Sequence, residues 1–220
     1  MSLLGQPDAH RVRDLNPLRQ MMPMIMPRRN ESVVYFEQHL EVDRALAWLA
    51  QRNAGEGPPV TFFHVVLGAF VRTLAARPRL NRFIAGRRTW QRHGITLSFA
   101  VKKRFDDDAG LTTVKVRFEE QDDLEAIARR INEAIGVGRG EERTTSETEV
   151  ALITRLPRFA IRLLLWLNGV LEYFNLAPAS MLAADPLHAS AFLANLGSVG
   201  IDAPFHHLFE HGTCSIFATI

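Results

Sequence analysis

Between residues 60 and 135 the apolar pattern changes period twice, and this alternation limits the folds open to the chain. From Val60 to Ala76, Phe63, Leu67, Phe70, Val71 and Leu74 fall on one stripe of a helix. Pro78 ends that helix. Residues 82–85 and 89–91 read as short strands about a turn at Gly86. Residues 95–103 and 112–118 read as longer strands, with DDDAG at 106–110 as the turn between them. Helical spacing then returns at Leu124, Ile127, Ala128, Ile131 and Ile135, and Gly136, Gly138 and Gly140 predict where it stops. Strands and helices are mixed without regular βαβ alternation. The expected class is α/β in the α+β sense, a mixed β-sheet flanked by helices.

The flanks fit the same plan. Residues 32–42, SVVYFEQHLEV, have the β-branched and aromatic composition of a strand. Asp43 predicts a helix N-cap, and AGEGPP at 54–59 a loop. Residues 138–149 are polar and predict a surface loop. One or two helices, broken by Pro157 and Pro178, are expected between 150 and 183. Residues 191–195 and 213–219 read as strands again. The expected organisation is a flexible segment over 1–16 and one domain over 17–220. With 220 residues, 47% of them hydrophobic and 23% charged, the chain can build a sizeable core.

Composition excludes several classes. The formal net charge is +2 and the arginines are scattered, so no basic face for nucleic acid is expected. Cys214 is the only cysteine, which rules out an intrachain disulfide and fits a reducing cytoplasm. The first residues lack the apolar core of a signal peptide. The most apolar run, 159–176, carries Arg162 and Glu172, so a buried or surface-docked helix is expected in place of a transmembrane span. A membrane-surface role for that helix is a further alternative. Asp106, Asp107 and Asp108 have no downstream bidentate glutamate, and the methionines at 21–26 have no nearby Cys or His, so no metal is expected. His64, on the apolar stripe of its helix, is expected to be a satisfied, partly buried histidine.

The last thirty residues carry the most specific pattern. Residues 192–202 read FLANLGSVGID, and after a loop Cys214 to Thr219 read CSIFAT. Upstream and in order come Pro78-Arg-Leu-Asn81 after the large helix, the strand at 95–101, Gly110-Leu-Thr-Thr-Val114, and the helix at 124–135. Together these segments, over residues 20–220, resemble the catalytic domain of the dihydrolipoamide acyltransferases, the core subunits of 2-oxoacid dehydrogenase complexes, a family related to chloramphenicol acetyltransferase. The resemblance implies the CoA-dependent acyltransferase fold. It further implies acyl transfer between CoA and a thiol, hydroxyl or amine acceptor, and a homotrimer. CoA or acyl-CoA and a small-molecule acceptor would be its substrates. No lipoyl attachment site is found, so a stand-alone member is expected.

Two site residues are expected. The family uses a hydroxyl near its Asn-Leu-Gly bend to hydrogen-bond the tetrahedral oxyanion. Ala194 stands where a serine is common, and Ser198 is the candidate donor. His206-His207-Leu-Phe-Glu-His211-Gly212 is similar to the His-His-x-x-x-Asp-Gly motif of related acyltransferases, which makes His207 the candidate base, with His211 in the aspartate's place. The Asp-His-Arg-x-x-Asp-Gly motif that the resemblance implies after the last strand is not found before Ile220. The expectation is therefore an acyltransferase completed by further chain, or alternatively a catalytically inactive relative acting as a trimeric CoA-binding or assembly module.

Overall fold

A computed structural model of the chain describes residues 5–102, 111–139, 152–197 and 200–220. Its largest sheet has four strands in the order β5-β4-β6-β7. These are β4 (Ile95–Lys102), β5 (Leu111–Phe118), β6 (Ala191–Ala194) and β7 (Phe217–Thr219). β4 pairs antiparallel with β5 and parallel with β6, and β6 pairs parallel with β7. The expected mixed sheet is therefore present. A second, three-stranded antiparallel sheet of β1 (Ala9–Arg11), β2 (Arg82–Ala85) and β3 (Arg88–Arg92) has the order β1-β3-β2.

Period-2 alternation decides what each face of the large sheet meets. Leu97, Phe99 and Val101 point to one face, with Val116 opposite Leu97 in register. Helices α3 (Phe62–Ala76) and α4 (Leu124–Arg139) cover that face through Leu67, Val71, Leu74, Ile127 and Ile131. Thr61 caps α3 reciprocally. The Thr61 N–H donates to His64 Nδ1 at 2.9 Å, and the His64 N–H donates to Thr61 Oγ1 at 3.4 Å. His64 is thus buried and satisfied, and burial holds its imidazole below the ordinary range. A short helix, α2 (Asp43–Asn53), leans on α3 through Leu49; Asp43 is its first helical residue, and Val42, not Asp43 as expected, is the N-cap.

Four further expectations need correction. Residues 33–42 form neither helix nor strand, and Val34, Phe36 and Leu40 are exposed. Their composition suits a strand, but no sheet edge of the described residues reaches them. The segment expected to be flexible, 1–16, includes β1, because Asp8 and Ala9 have buried partners to meet; only residues 5 onward are described. α4 does not stop at Gly136. It runs through Gly138, where a Cβ would come within 2.9 Å of Val114 Cγ2, so glycine there lets the helix approach β5. The 213–219 strand shortens to Phe217–Thr219. The triple-aspartate turn, Gly140 and most of the 138–149 loop lie outside the described residues.

Lys115 lies on the opposite face of β5, across from Ser98. Its ammonium donates to the carbonyls of Leu182 (2.8 Å) and Asp185 (3.1 Å), at the end of α6 (Ala179–Ala184). Those contacts fasten Asp185 to the sheet. Burial, with help from the charge of Arg92, brings the Lys115 ammonium down from 10.5 to about 8. Below that value the proton is held in both folded and unfolded states, and the folded state bears the desolvation. From about pH 8 to 10.5 the unfolded chain binds more protons, so this group's contribution to stability rises with pH. The stability of wild type relative to Lys115→Met is therefore expected to increase over that window in urea melts. A flat or falling difference would contradict it.

Candidate functional site

Helix α5 (Arg158–Phe174) is amphipathic in an unusual sense, because none of its residues is buried. Phe159, Leu165 and Trp166 are exposed, while Gly169, Glu172 and Tyr173 face a cavity. Asn168 and Glu172, one turn apart, are joined by a 2.8 Å hydrogen bond from Asn168 Nδ2 to Glu172 Oε1. Asn175, in the left-handed conformation, stops the helix and leaves Glu172 in its last turn. The Asn175 carboxamide accepts from Gln6 at 2.8 Å.

The cavity, of about 530 Å³, lies between the end of α1 (Pro17–Ile25) with the segment after it, the β2–β3 hairpin, α5 and the 208–215 loop. That volume is ordinary for a small-molecule site. The hairpin turns at Gly86 and Arg87, both with positive φ. A Cβ on Gly86 would meet the Tyr173 carbonyl at 2.1 Å, so only glycine lets the turn close on α5. Arg19, Arg28, Arg29, Arg82 and Arg87 line the cavity, against the two acids Glu172 and Glu210. A second cavity of about 620 Å³ shares Pro23, Gly86, Arg87, Thr89 and Tyr173 with the first and adds Arg11, Arg13 and Arg88. Arg87, tied to the Pro23 carbonyl at 2.7 Å, stands at their common wall.

Beside the first cavity, whose lining includes Glu172 and His188, four titratable groups converge from three elements. Asp185 follows α6, His188 comes three residues later, and His211 belongs to the loop before β7. Gly212, at φ +83°, presses that loop against Leu187, whose carbonyl accepts from the N–H groups of Thr213 and Cys214, both at 2.9 Å. A Cβ there would lie 2.5 Å from the Leu187 carbonyl oxygen. The result sets His211 Nε2 2.5 Å from Asp185 Oδ2 and His211 Nδ1 3.5 Å from Glu172 Oε1. His188 Nε2 is 3.5 Å from the same Glu172 oxygen and 3.8 Å from Asp185 Oδ2. His188 Nδ1 faces Thr213 Oγ1 at 3.2 Å.

The charges answer one another. Burial pushes the Glu172 carboxyl up, but contact with His188, His211 and Asn168 outweighs it and the net shift is downward. Asp185 is likewise lowered against its burial, by His211 and the Leu187 N–H. The hydrogen bond to Asp185 raises His211 above its ordinary range. Burial pushes the Cys214 thiol up, which makes it an inert core group despite its position near the loop.

Behind this cluster lies Arg92, whose side chain is 3% exposed. It pairs with Asp8, donates to Thr213 Oγ1 at 2.8 Å, and lies 4.4 Å from the centroid of the Phe83 ring. Burial lowers its guanidinium and Asp8 pulls it back.

The sequence model described as 2-oxoacid dehydrogenases acyltransferase (catalytic domain) matches residues 7–154. The chain belongs to this acyltransferase family. No curated protein sequence matches significantly. Among solved structures, a probable dihydrolipoamide acetyltransferase from Listeria monocytogenes is 14% identical with a TM-score of 0.53, and the alignment covers 92% of this chain and 70% of that one. The cubic core of a pyruvate dehydrogenase multienzyme complex is 16% identical over 89% and 67%, with a TM-score of 0.51. A truncated catalytic core of the 2-oxoacid dehydrogenase multienzyme complex from Thermoplasma acidophilum is 14% identical over 92% and 77%, also at 0.51. At these identities the likeness shows the acyltransferase fold alone.

The family match stops short of Glu172, Asp185, His188 and His211. Of the two site residues expected from sequence, Ser198 lies outside the described residues. His207 is exposed, with Nδ1 2.9 Å from the Leu208 carbonyl, and does not line the cavity. His206 beside it stacks on Phe217 at 4.1 Å. Glu172, Asp185 and His188 escaped the sequence reading. A signal was present in Glu172, a lone acid near the end of an apolar run, which must find polar partners if its helix docks.

Removing the charge of Asp8 tests how the site is held. Asp8→Asn leaves the buried Arg92 guanidinium without its half-exposed counter-charge and is expected to lower stability by roughly 1–3 kcal/mol in urea unfolding. Glu119→Ala, which breaks the exposed Arg117–Glu119 pair, should cost less than about 1 kcal/mol. Equal losses would mean that Arg92 is not the buried anchor described.

Proposed function

We propose that this chain is a CoA-dependent acyltransferase, moving an acyl group between CoA and a thiol, hydroxyl or amine acceptor. Family membership carries the reaction class. The arginine-lined pair of cavities supports the carrier, because a thioester of CoA is a long polyanion. Its phosphates suit Arg11, Arg13 and Arg88 on one side of Arg87, and its uncharged, thiol-bearing arm suits the Met22, Met26 and Phe83 side on the other. In the reaction the acceptor's nucleophile attacks the thioester carbonyl, the C–S bond breaks, and CoA leaves as the thiol after taking up a proton.

In this reading Ser198 donates to the oxyanion, a role of about 3 kcal/mol in transition-state stabilisation where such donors have been removed. His207, which stands outside the cavity lining, is the proposed base for an acceptor that approaches from the exposed side of its loop. Acetyl-CoA turnover, followed by thiol release against a panel of small thiols, alcohols and amines, is the expected activity. Replacing Arg87 and Arg88 together with Ala should raise KM for acetyl-CoA at least about tenfold with little change in kcat, as loss of ground-state binding requires. His207→Ala should lower kcat by roughly 100-fold or more; an unchanged rate would remove His207 from the mechanism. CoA binding without turnover for any acceptor would favour the binding-module alternative.

The same reading includes a homotrimer. Its support is the irregular segment at 33–42 and the bare apolar side of α5, which together leave Val34, Phe36, Leu165 and Trp166 uncovered. Among the described residues no helix is long and apolar enough to cross a membrane. Light scattering at the trimer mass is expected, and Phe36→Glu with Trp166→Glu should shift it to the monomer. A wild-type monomer that instead sediments with liposomes would place the α5 surface at a membrane.

A further inference from the structure

The lone pairs beside the cavity point at one another. If Asp185 Oδ2 accepts the Nε2–H of His211, the Nδ1 of that ring carries a lone pair and faces Glu172 Oε1 at 3.5 Å. If Thr213 Oγ1 accepts the Nδ1–H of His188, its Nε2 also carries a lone pair and faces the same oxygen at 3.5 Å. The His188 ring is 5% exposed, and its Nε2 is a buried nitrogen with no hydrogen-bond partner among the described residues. Two imidazole nitrogens and a carboxylate oxygen, all within 4.8 Å of one another, can share a positive charge between them, either protons on the rings or one bound cation.

We propose that Glu172, His188 and His211 form a binding site for one divalent transition-metal ion of the Zn²⁺ class. The ligand atoms would be Glu172 Oε1, His188 Nε2 and His211 Nδ1. Metal–nitrogen bonds of 2.0–2.1 Å in a tetrahedron put ligand atoms about 3.4 Å apart. Two of the three separations here are 3.5 Å, so only a small movement of the half-exposed His211 closes the set. Two imidazoles and one carboxylate suit Zn²⁺, Co²⁺ or Fe²⁺ over the all-oxygen preference of Ca²⁺ and Mg²⁺. Each imidazole has an outer partner on its other nitrogen, Asp185 for His211 and Thr213 for His188, which fixes tautomer and orientation as in metal sites generally. Thr213 is itself held by Arg92. Charge also balances, because the two carboxylates of Glu172 and Asp185 neutralise a divalent ion. The neighbouring cations are otherwise engaged, Arg92 by Asp8, Arg29 by the Cys214 carbonyl, and Lys115 by the carbonyls of Leu182 and Asp185. Three ligands leave a fourth position, and Glu172 and His188 border the cavity from which a water or a substrate atom would fill it. Sequence gave no hint of a metal because the ligands come from separate elements, not from a short spaced motif.

The inference does not depend on acyl transfer, since it is read without turnover. The full chain, stripped with a chelator, is titrated with Co²⁺ and followed by its ligand-field absorption, and Zn²⁺ is then used to displace it. One Co²⁺ per chain with a tetrahedral-type spectrum, displaced by Zn²⁺, is expected. Glu172→Gln and His211→Ala, at positions that tolerate change without exposing core, should weaken binding at least about 100-fold. Asp185→Asn, acting through His211, should weaken it roughly 10–100-fold. His39→Ala and His206→Ala, both on exposed side chains, should leave it unchanged. No binding by wild type, or binding unaltered in Glu172→Gln and His211→Ala, would overturn the site and leave a cluster held by protons alone.

Discussion

A buried guanidinium sets the terms for this structure. Arg92 comes from the end of β3 in the small sheet, yet its partners are scattered: Asp8 before β1, the Ala189 carbonyl before β6, and Thr213 before β7. A charge so far from water needs acceptors for its donors: Nη1 and Nη2 find theirs in Asp8, Ala189 and Thr213, while the buried Nε has none among the described residues. Meeting that demand draws the N-terminal strand onto β3 and pins the 213 loop over the sheet. It also fixes the hydroxyl that faces His188. Without it the 213 loop, which forms part of the cavity wall, would lose its tie to the small sheet.

Lys115 makes a parallel arrangement from the other side. Its ammonium anchors the carbonyls at the end of α6, so Asp185 is presented from a fixed backbone. Two desolvated cations thus hold the acidic and imidazole groups beside the cavity in place. The groups themselves shift one another's ionisation in the directions expected of close opposite charges, His211 upward and Glu172 and Asp185 downward. The site owes its order to these polar contacts more than to packing, since α5, which supplies Glu172, buries none of its residues.

The elements legible in the sequence are those whose own periodicity pays their way. α3, α4, β4 and β5 bury apolar residues at regular spacing, and the family pattern over them was readable for the same reason. β1 was missed because three residues, AHR, carry no period; its position comes from Asp8 and Ala9 meeting buried partners. The 33–42 segment was read as a strand because composition reports on fitness for a sheet and is silent on whether an edge is within reach. The cluster beside the cavity was the least legible part. Its residues are separated by up to 39 positions from Glu172 to His211, and the nearby pair His206-His207 drew attention to the exposed side of the same loop.

The measurement that bears most directly on the account is a crystal structure of the full chain soaked or grown with CoA. The account predicts the phosphates against Arg87, Arg88 and Arg13, with the thiol arm passing Arg87 into the cavity over Glu172. A CoA molecule bound elsewhere on the surface, or none at saturating concentration, would contradict it.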